Sequence, residues 1–570
     1  MNSAPDKYAA RVLDADTNWP SSACPVVLDV LRGETVERSR SVRCGFNTVT
    51  RSVDGRSLTI DIPLTSTDPM YFRRAADSSS LRISDDPRAL RTNSCAIDER
   101  SLFSILQFGA IVPPLSLWRG IQRLAPGASH TLHVDDLTWS SSGLPLAVVD
   151  TACSDATMGV DAQASCVSRL LDEVLDDLCP NHDPVILFSG GVDSGLIALR
   201  AAQMGWKDTL LLHYSMADDD PETIQARAMA QQIGLPIRCV QDIESKAMAV
   251  LGQAARAYPQ PFGDHSTLPS FALARATIAV LDCPRVIIDG TGADGCFGMF
   301  AKAAQWRGAY HLPRGIRNLA SAAYAWAGQW RRPGELEKRL RILRRTASLP
   351  WLSAAIAQNP LSGLAYQFPQ ETTQEVCELL EKWSQTMVVG DEPDVRLPAL
   401  DLALVCANIF AQKNKPVFAQ STHRVAYPFL DERIVGLALG HAACWPYAEQ
   451  SKFALKAALA QHVPQEMVFR RKSGFVAPLS TILRDPTFLA AFDRILAKDS
   501  PLAPYLNLRV LRQLRRDVET GRDLPAQTYN LIWSAIFTNC WCEQSRDGAS
   551  TSSGAGFLNH NSVSHGSPAH

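Results

Sequence analysis

The chain has 570 residues, of which 46% are hydrophobic and 20% charged, and a formal net charge of −2. That length exceeds what one hydrophobic core organises, so two or three domains are expected. The near-neutral balance argues against a large nucleic-acid footprint, and no apolar run approaches the ~18 residues of a membrane span.

The start, Met1-Asn2-Ser3-Ala4-Pro5-Asp6-Lys7, lacks the basic-then-apolar order of a secretory signal, so a cytoplasmic enzyme is expected. The 14 cysteines are scattered without a C-x-x-C pair and read as buried free thiols. Through about residue 150, short apolar runs such as Pro25–Leu28 and Leu58–Ile62 alternate with turn signals, as in a strand-rich domain. A boundary is expected near Ser140–Asp161. Val167, Leu170, Leu171, Val174, Leu175 and Leu178 then follow the helical i, i+3, i+4, i+7 spacing, stopped by Pro180.

The apolar run Pro184–Phe188 predicts a strand, and Gly195–Leu199 lies in a following helix. Thr209–Tyr214, Ile237–Val240 and Val286–Ile288 read as further strands, with helices over Glu222–Ile233 and Phe271–Leu281. This alternation predicts an α/β fold on a doubly wound parallel sheet, whose ligands bind beyond the carboxyl ends of the strands. From Ala301 to about Asp391 it gives way to a helical insertion. Its basic stretch from Arg331 to Arg345 could grip an acidic peptide or a phosphate, or form a solvated helix face. Helix continues to Cys542, and the Ser-, Gly- and His-rich tail over 543–570 reads as disordered.

Two turns carry chemistry. Ser189-Gly190-Gly191-Val192-Asp193-Ser194 joins a strand to a helix start. Glycines there let backbone amides approach a phosphate, and the helix terminus adds favourable positive potential. No Gly-Lys-Ser/Thr follows, so this is not a Walker A loop. Asp289-Gly290-Thr291-Gly292-Ala293-Asp294 is a second strand-to-turn junction. Asp193 and Asp294 make a plausible anchor for ATP with Mg2+, since magnesium commonly takes one or two carboxylates with phosphates and water completing its shell.

S-G-G-x-D-S resembles the pyrophosphate loop of ATP pyrophosphatases. Followed by G-x-G-x-D-x-x-F-G (Gly290–Gly298), P-F-L-D (Pro428–Asp431) and R-x-K-x-G-F (Arg470–Phe475), it is similar to the synthetase domain of the asparagine synthetase superfamily over about residues 165–480. Upstream, Phe108-Gly109, Leu117–Ile121 and Leu124–Gly127 resemble the end of that superfamily's amidotransferase domain. The resemblance implies a degenerate Ntn-type α+β amidotransferase-like domain over 1–150, an ATP pyrophosphatase domain over 160–542 with helical insertions, and a tail over 543–570. It further implies that Ser189, Gly190, Gly191, Asp193 and Ser194 cradle pyrophosphate, and that Phe188, Met216, Asp289 and Gly290 line the nucleotide. Lys452 and Lys472 would serve as the phosphate-contacting and catalytic lysines.

Two departures narrow the reading. Glutamine-hydrolysing members place a cysteine directly after the initiator Met, where this chain has Asn2, so glutaminase activity is expected to be absent. Asparagine synthetases carry Glu, and β-lactam synthetases Tyr, where this chain has Thr291. Length and the K-x-G-F ending are similar to the lasso peptide cyclases, which close a macrolactam on a precursor peptide. Such an enzyme would work beside a leader peptidase and a leader-binding protein. The alternatives are an amide-forming ligase acting on a small carboxylate, and a peptide-binding scaffold without catalysis.

Overall fold

The computed structural model describes residues 27–32, 42–44, 47–52, 54–92, 95–147, 159–215, 220–241, 251–327, 335–359, 367–389, 395–440, 451–470, 484–522, 524 and 526–547. It is a mixed α/β structure with two antiparallel sheets and one parallel sheet.

The antiparallel sheets come from β1 (Val27–Leu31), β2 (Val42–Cys44), β3 (Asn47–Arg51), β4 (Ser57–Ile62), β5 (Tyr71–Arg74), β6 (Ser80–Ser84), β7 (Gln122–Arg123), β8 (Ala128–His133) and β9 (Thr138–Gly143). They are ordered β1-β6-β5-β7 and β2-β3-β4-β8-β9. Along β4 every second residue is buried, the period-two signature of a strand with one face on a core. Leu58, Ile60 and Ile62 from that face pack with Val30, Leu81 and Ile83 of the other sheet, so the two sheets share a small apolar core. The helix Glu99–Phe108 turns elsewhere. Its Leu102, Ile105, Leu106 and Phe108 join the large core that contains Trp533 and Phe537.

The parallel sheet holds β10 (Val185–Leu187), β11 (Leu210–Ser215), β12 (Ile237–Gln241), β13 (Val286–Ile288) and β14 (Arg424–Ala426), ordered β12-β11-β10-β13-β14. The chain winds outward from β10 in one direction through β11 and β12, then resumes on the other flank at β13. The reversal between β10 and β13 is a topological switch point, the crevice where open parallel sheets bind ligands. Val185 pairs with Leu210 on one side and Ile287 on the other, and Ile288 pairs with Ala426. The turns that follow β10, β13 and β14 therefore lie side by side at one end of the sheet.

Several elements depart from the sequence expectations. The helix expected to begin at Phe271 begins at Thr267, because Asp264 accepts hydrogen bonds from the Ser266 N–H and hydroxyl and sets the turn earlier. The last helix, Ala526–Asp547, runs into the segment expected to be tail. Trp541 and Cys542 are buried and Glu543 pairs with Arg494, which holds that turn in place. The rest of the expected tail lies outside the described residues. In the basic insertion, Arg345 is not a solvated charge: it lies over the Trp306 ring and donates to the Ala357 carbonyl. Nine of the described cysteines are free, whereas Cys166 is disulfide-bonded, against the expectation of free thiols throughout.

From Arg396 to Phe418 the backbone is continuously helical, but Asp401–Phe410 is a π-helix. Such widened turns cluster at functional sites, and this one passes under the turn that follows β13. No helix among the described residues is long and apolar enough to cross a membrane.

Candidate active site

The turn after β10 is built by close approach. Gly190 has φ +66, and a Cβ there would stand 2.7 Å from the Ala226 Cα, so only glycine fits. The Ser189 N–H donates to Ser194 Oγ at 3.2 Å, and the Gly191 N–H to Ser189 Oγ at 3.3 Å. These bonds draw the loop around the start of the helix Val192–Gln203, whose first turn carries Asp193. Its amides point where an anion is stabilised.

The turn after β13 is held from two sides. Asp289 accepts from the Thr291 N–H at 2.9 Å and the Thr291 hydroxyl at 2.8 Å, while its other oxygen accepts from the Asn414 amide at 2.7 Å. The Asp289 carboxylate is thus fully engaged in shaping the turn, and Thr291 acts as its local cap. Gly292 has φ +111 and lies against Phe429 and Leu430, so the P-F-L-D segment packs directly on this loop.

Lys452 joins the two loops. Its ammonium lies 2.8 Å from each oxygen of Asp193 and 2.8 Å from Asp294 Oδ1. The residue is 9% exposed and adopts a left-handed φ of +62, a conformation that costs a non-glycine residue of order 1–3 kcal/mol. Its backbone N–H is fixed to the Phe297 carbonyl at 2.9 Å. Burial works against the ammonium, yet Asp193 and Asp294 hold its pKa above the usual lysine value. A cation thus already stands between the two carboxylates that the sequence suggests as magnesium ligands.

The two carboxylates fit a magnesium ion in donor chemistry: both are hard, and Asp294 keeps a side-chain exposure of 66%, although the point where they meet is taken by the Lys452 ammonium. Among the described residues no group of three or more acidic, histidine or cysteine side chains forms a cage. Two carboxylates, completed by phosphate oxygens and water, suit an ion that arrives with its nucleotide.

These loops open on a cavity of about 670 Å3, within the usual range for small-molecule sites. Phe188, Ser189, Asp193, Ser194, Asp289, Gly290 and Asp294 all face it. Gly190 and Gly191 belong to the same turn without lining the cavity. Met216 and Lys472, both singled out in the sequence, lie outside the described residues.

Sequence reasoning missed the opposite wall. Lys413 donates to Ser266 Oγ at 2.8 Å and lies 3.4 Å from Asp264 Oδ2, with its ammonium 4.4 Å from the Phe410 ring centre. Burial would raise the Asp264 pKa, but Lys413, His265 and Ser266 together hold it below the usual carboxylate value. His213 also faces the cavity, bonded to the Phe188 carbonyl and Thr223 Oγ1. Burial lowers its pKa, with the bond to the Phe188 carbonyl opposing, so the ring is neutral near pH 7. Asp401, on the π-helix, is raised to about 6 chiefly by burial; Lys302 opposes the shift and Asp294 adds to it.

A profile of the asparagine synthase family matches residues 170–543. Relatives from Mycobacterium bovis and from two strains of Mycobacterium tuberculosis, named as provisional asparagine synthetases of the glutamine-hydrolyzing type, are 24% identical over 415 residues. The aligned region is 68% of this chain and 59% of each relative, so the chain spans under two thirds of their length.

Proposed function

Since the chain belongs to the asparagine synthase family of amide-forming ligases, we propose that it is an ATP-dependent macrolactam synthetase of the lasso peptide cyclase type. A side-chain carboxylate of an Asp or Glu in a precursor peptide attacks the α-phosphorus of ATP, and pyrophosphate leaves. The peptide's own N-terminal amine then attacks the acyl carbon, expelling AMP and closing the ring. Ser189, Gly190, Gly191 and Ser194 cradle the departing pyrophosphate, and Phe188, Met216, Asp289 and Gly290 line the nucleotide. Asp289 contributes through its backbone, because its carboxylate is already bonded to Thr291 and Asn414.

Magnesium would be held by Asp193 and Asp294, where it would neutralise phosphate charge. Lys452 steers the two carboxylates and the phosphates, and Lys472 stabilises charge as AMP leaves; a fixed cation in a dry site typically supplies a few kcal/mol to such a step. The precursor's leader peptidase and leader-binding protein are the proposed partners.

One observation supports the choice of substrate. The Thr291 hydroxyl donates to Asp289, so the second loop offers neither the carboxylate of asparagine synthetases nor the phenol of β-lactam synthetases. A nucleophile already tethered to the activated peptide needs no ammonia delivery, and holding both ends together removes much of the entropic barrier.

The test supplies the enzyme with ATP, Mg2+, a leader peptidase and a cognate precursor. The expected products are AMP, pyrophosphate and a core peptide lighter by one water, about 18 Da, because ring closure exchanges an amine and a carboxylate for one amide. Lys472→Ala should slow macrocycle formation; an undiminished rate removes that residue from the chemistry. The names of the mycobacterial relatives favour a second reading, amide formation on a small carboxylate. Conversion of free aspartate and ammonia to asparagine, with the peptide unchanged, would establish it instead.

A further inference from the structure

Arg123, on β7, is 4% exposed and has no ion-pair partner among the described residues. Its Nη2 donates to Asn408 Oδ1, a neutral acceptor, while its Nε is buried without any hydrogen bond. A guanidinium stays charged at any ordinary pH, and a buried charge without a counter-charge is among the costliest arrangements a fold can carry. Burial pulls its pKa down, and only Tyr71 opposes that shift.

Arg123 lines a cavity of about 40 Å3 between the β5–β7 edge and the π-helix region. One water needs about 10–15 Å3, so there is room for an ion larger than a water molecule. The lining contains no acidic residue. Tyr71 also lines it, and the Tyr71 hydroxyl oxygen accepts from the Gln260 amide at 2.5 Å, which leaves its own O–H to donate. The Asn408 and Gln412 amides donate elsewhere, to the Ala403 carbonyl and to the Thr67 and Ala407 carbonyls. The wall therefore combines a positive charge and an unused O–H, while the unbonded Arg123 Nε is packed away from water-sized space.

We propose that this cavity binds a small monovalent anion of halide size, held by the Arg123 guanidinium and the Tyr71 hydroxyl. The anion compensates the buried charge and ties β5 and β7 to the helix that carries Asn408 and Gln412. The same helical segment presents Cys406, Phe410, Lys413 and Asn414 to the large cavity, and Asn414 anchors Asp289. Anion occupancy thus supports the nucleotide site from behind, without touching it.

The experiment compares the full-length protein in sodium chloride and in sodium sulfate at equal ionic strength, and locates bromide in crystals by anomalous scattering. The expected results are a melting temperature that rises with chloride and saturates, as for a ligand that binds only the folded state, and a bromide peak within hydrogen-bonding distance of Arg123. Tyr71→Phe should keep the fold and weaken chloride binding about tenfold, the worth of one hydrogen bond to a charged partner. Arg123→Met should abolish the chloride dependence. Equal melting in the two salts, or bromide peaks confined to other places, would overturn the proposal. So would an unchanged chloride midpoint in Tyr71→Phe, which settles the matter even if Arg123→Met does not fold.

Discussion

The Lys452 ammonium lies 2.8 Å from both carboxylate oxygens of Asp193, a residue 259 positions earlier in the chain. The lysine holds in place the acidic pair that would receive magnesium, and its strained backbone shows how tightly that position is set. Lys452→Met should leave Asp193 and Asp294 facing each other without a cation. Melting of the variant should become strongly dependent on added Mg2+, while the wild type changes little, and ATP-dependent pyrophosphate release should fall about 100-fold, the usual loss on removing a preorganised charge. Retained turnover with no new Mg2+ dependence would show that the lysine does not organise the pair.

Gly190→Ala tests the loop itself. The added methyl would meet the Ala226 backbone at 2.7 Å, and the left-handed φ adds its own penalty. A loss of at least about 2 kcal/mol is expected in chemical unfolding, together with weakened ATP binding measured by calorimetry. A variant of unchanged stability and affinity would mean that the loop yields easily.

Thr291→Val removes the hydroxyl that caps Asp289 and keeps the volume. About 1 kcal/mol of stability should be lost with that hydrogen bond. Turnover should stay within about threefold of wild type, whereas loss of a general base typically costs 100-fold or more. A fall of that size would identify the hydroxyl as a proton acceptor.

Asp401 gives a pH signature. Its folded pKa of about 6 exceeds the ordinary value of 3.8, so the folded protein holds this proton more tightly than the unfolded chain does. Its contribution to stability is complete below about pH 4 and is lost as pH rises through about 6, a change of about 3 kcal/mol. Asp401→Asn should remove this slope, read from denaturant unfolding at a series of pH values across that window. A variant whose stability keeps the wild-type slope would place the titration elsewhere.

The sheet was legible because its strands are short apolar runs bounded by turn residues. The strand expected over Thr209–Tyr214 forms at Leu210–Ser215, and that over Val286–Ile288 forms at those residues. The helix expected over Glu222–Ile233 starts one residue earlier, at Pro221, a residue suited to a first helical position. The glycine-rich turns declared themselves through composition. The Lys413–Asp264 wall did not, since its partners are 149 residues apart and Gln412-Lys413-Asn414-Lys415-Pro416 has the composition of a solvated turn. That Lys452 reaches both carboxylates likewise depends on three distant loops meeting at one end of the sheet. The helical turn after Cys542 looked like tail because its anchor, the Arg494–Glu543 pair, is tertiary.

The helix Ala526–Asp547 has a consequence for biosynthesis. Its Trp541 packs 5.3 Å from Trp118, and Arg91 reaches the Ser545 carbonyl 454 residues later in the chain. A ribosome adds about 5–20 residues each second, so the interval between making the two partners is on the order of a minute. Throughout that interval Trp118 lacks the Trp541 ring, and the helix Glu99–Phe108 lacks the part of its covering that Ala526–Asp547 supplies. Nascent chains stalled before Trp541 should bind holdase chaperones, and those released after Asp547 should let them go.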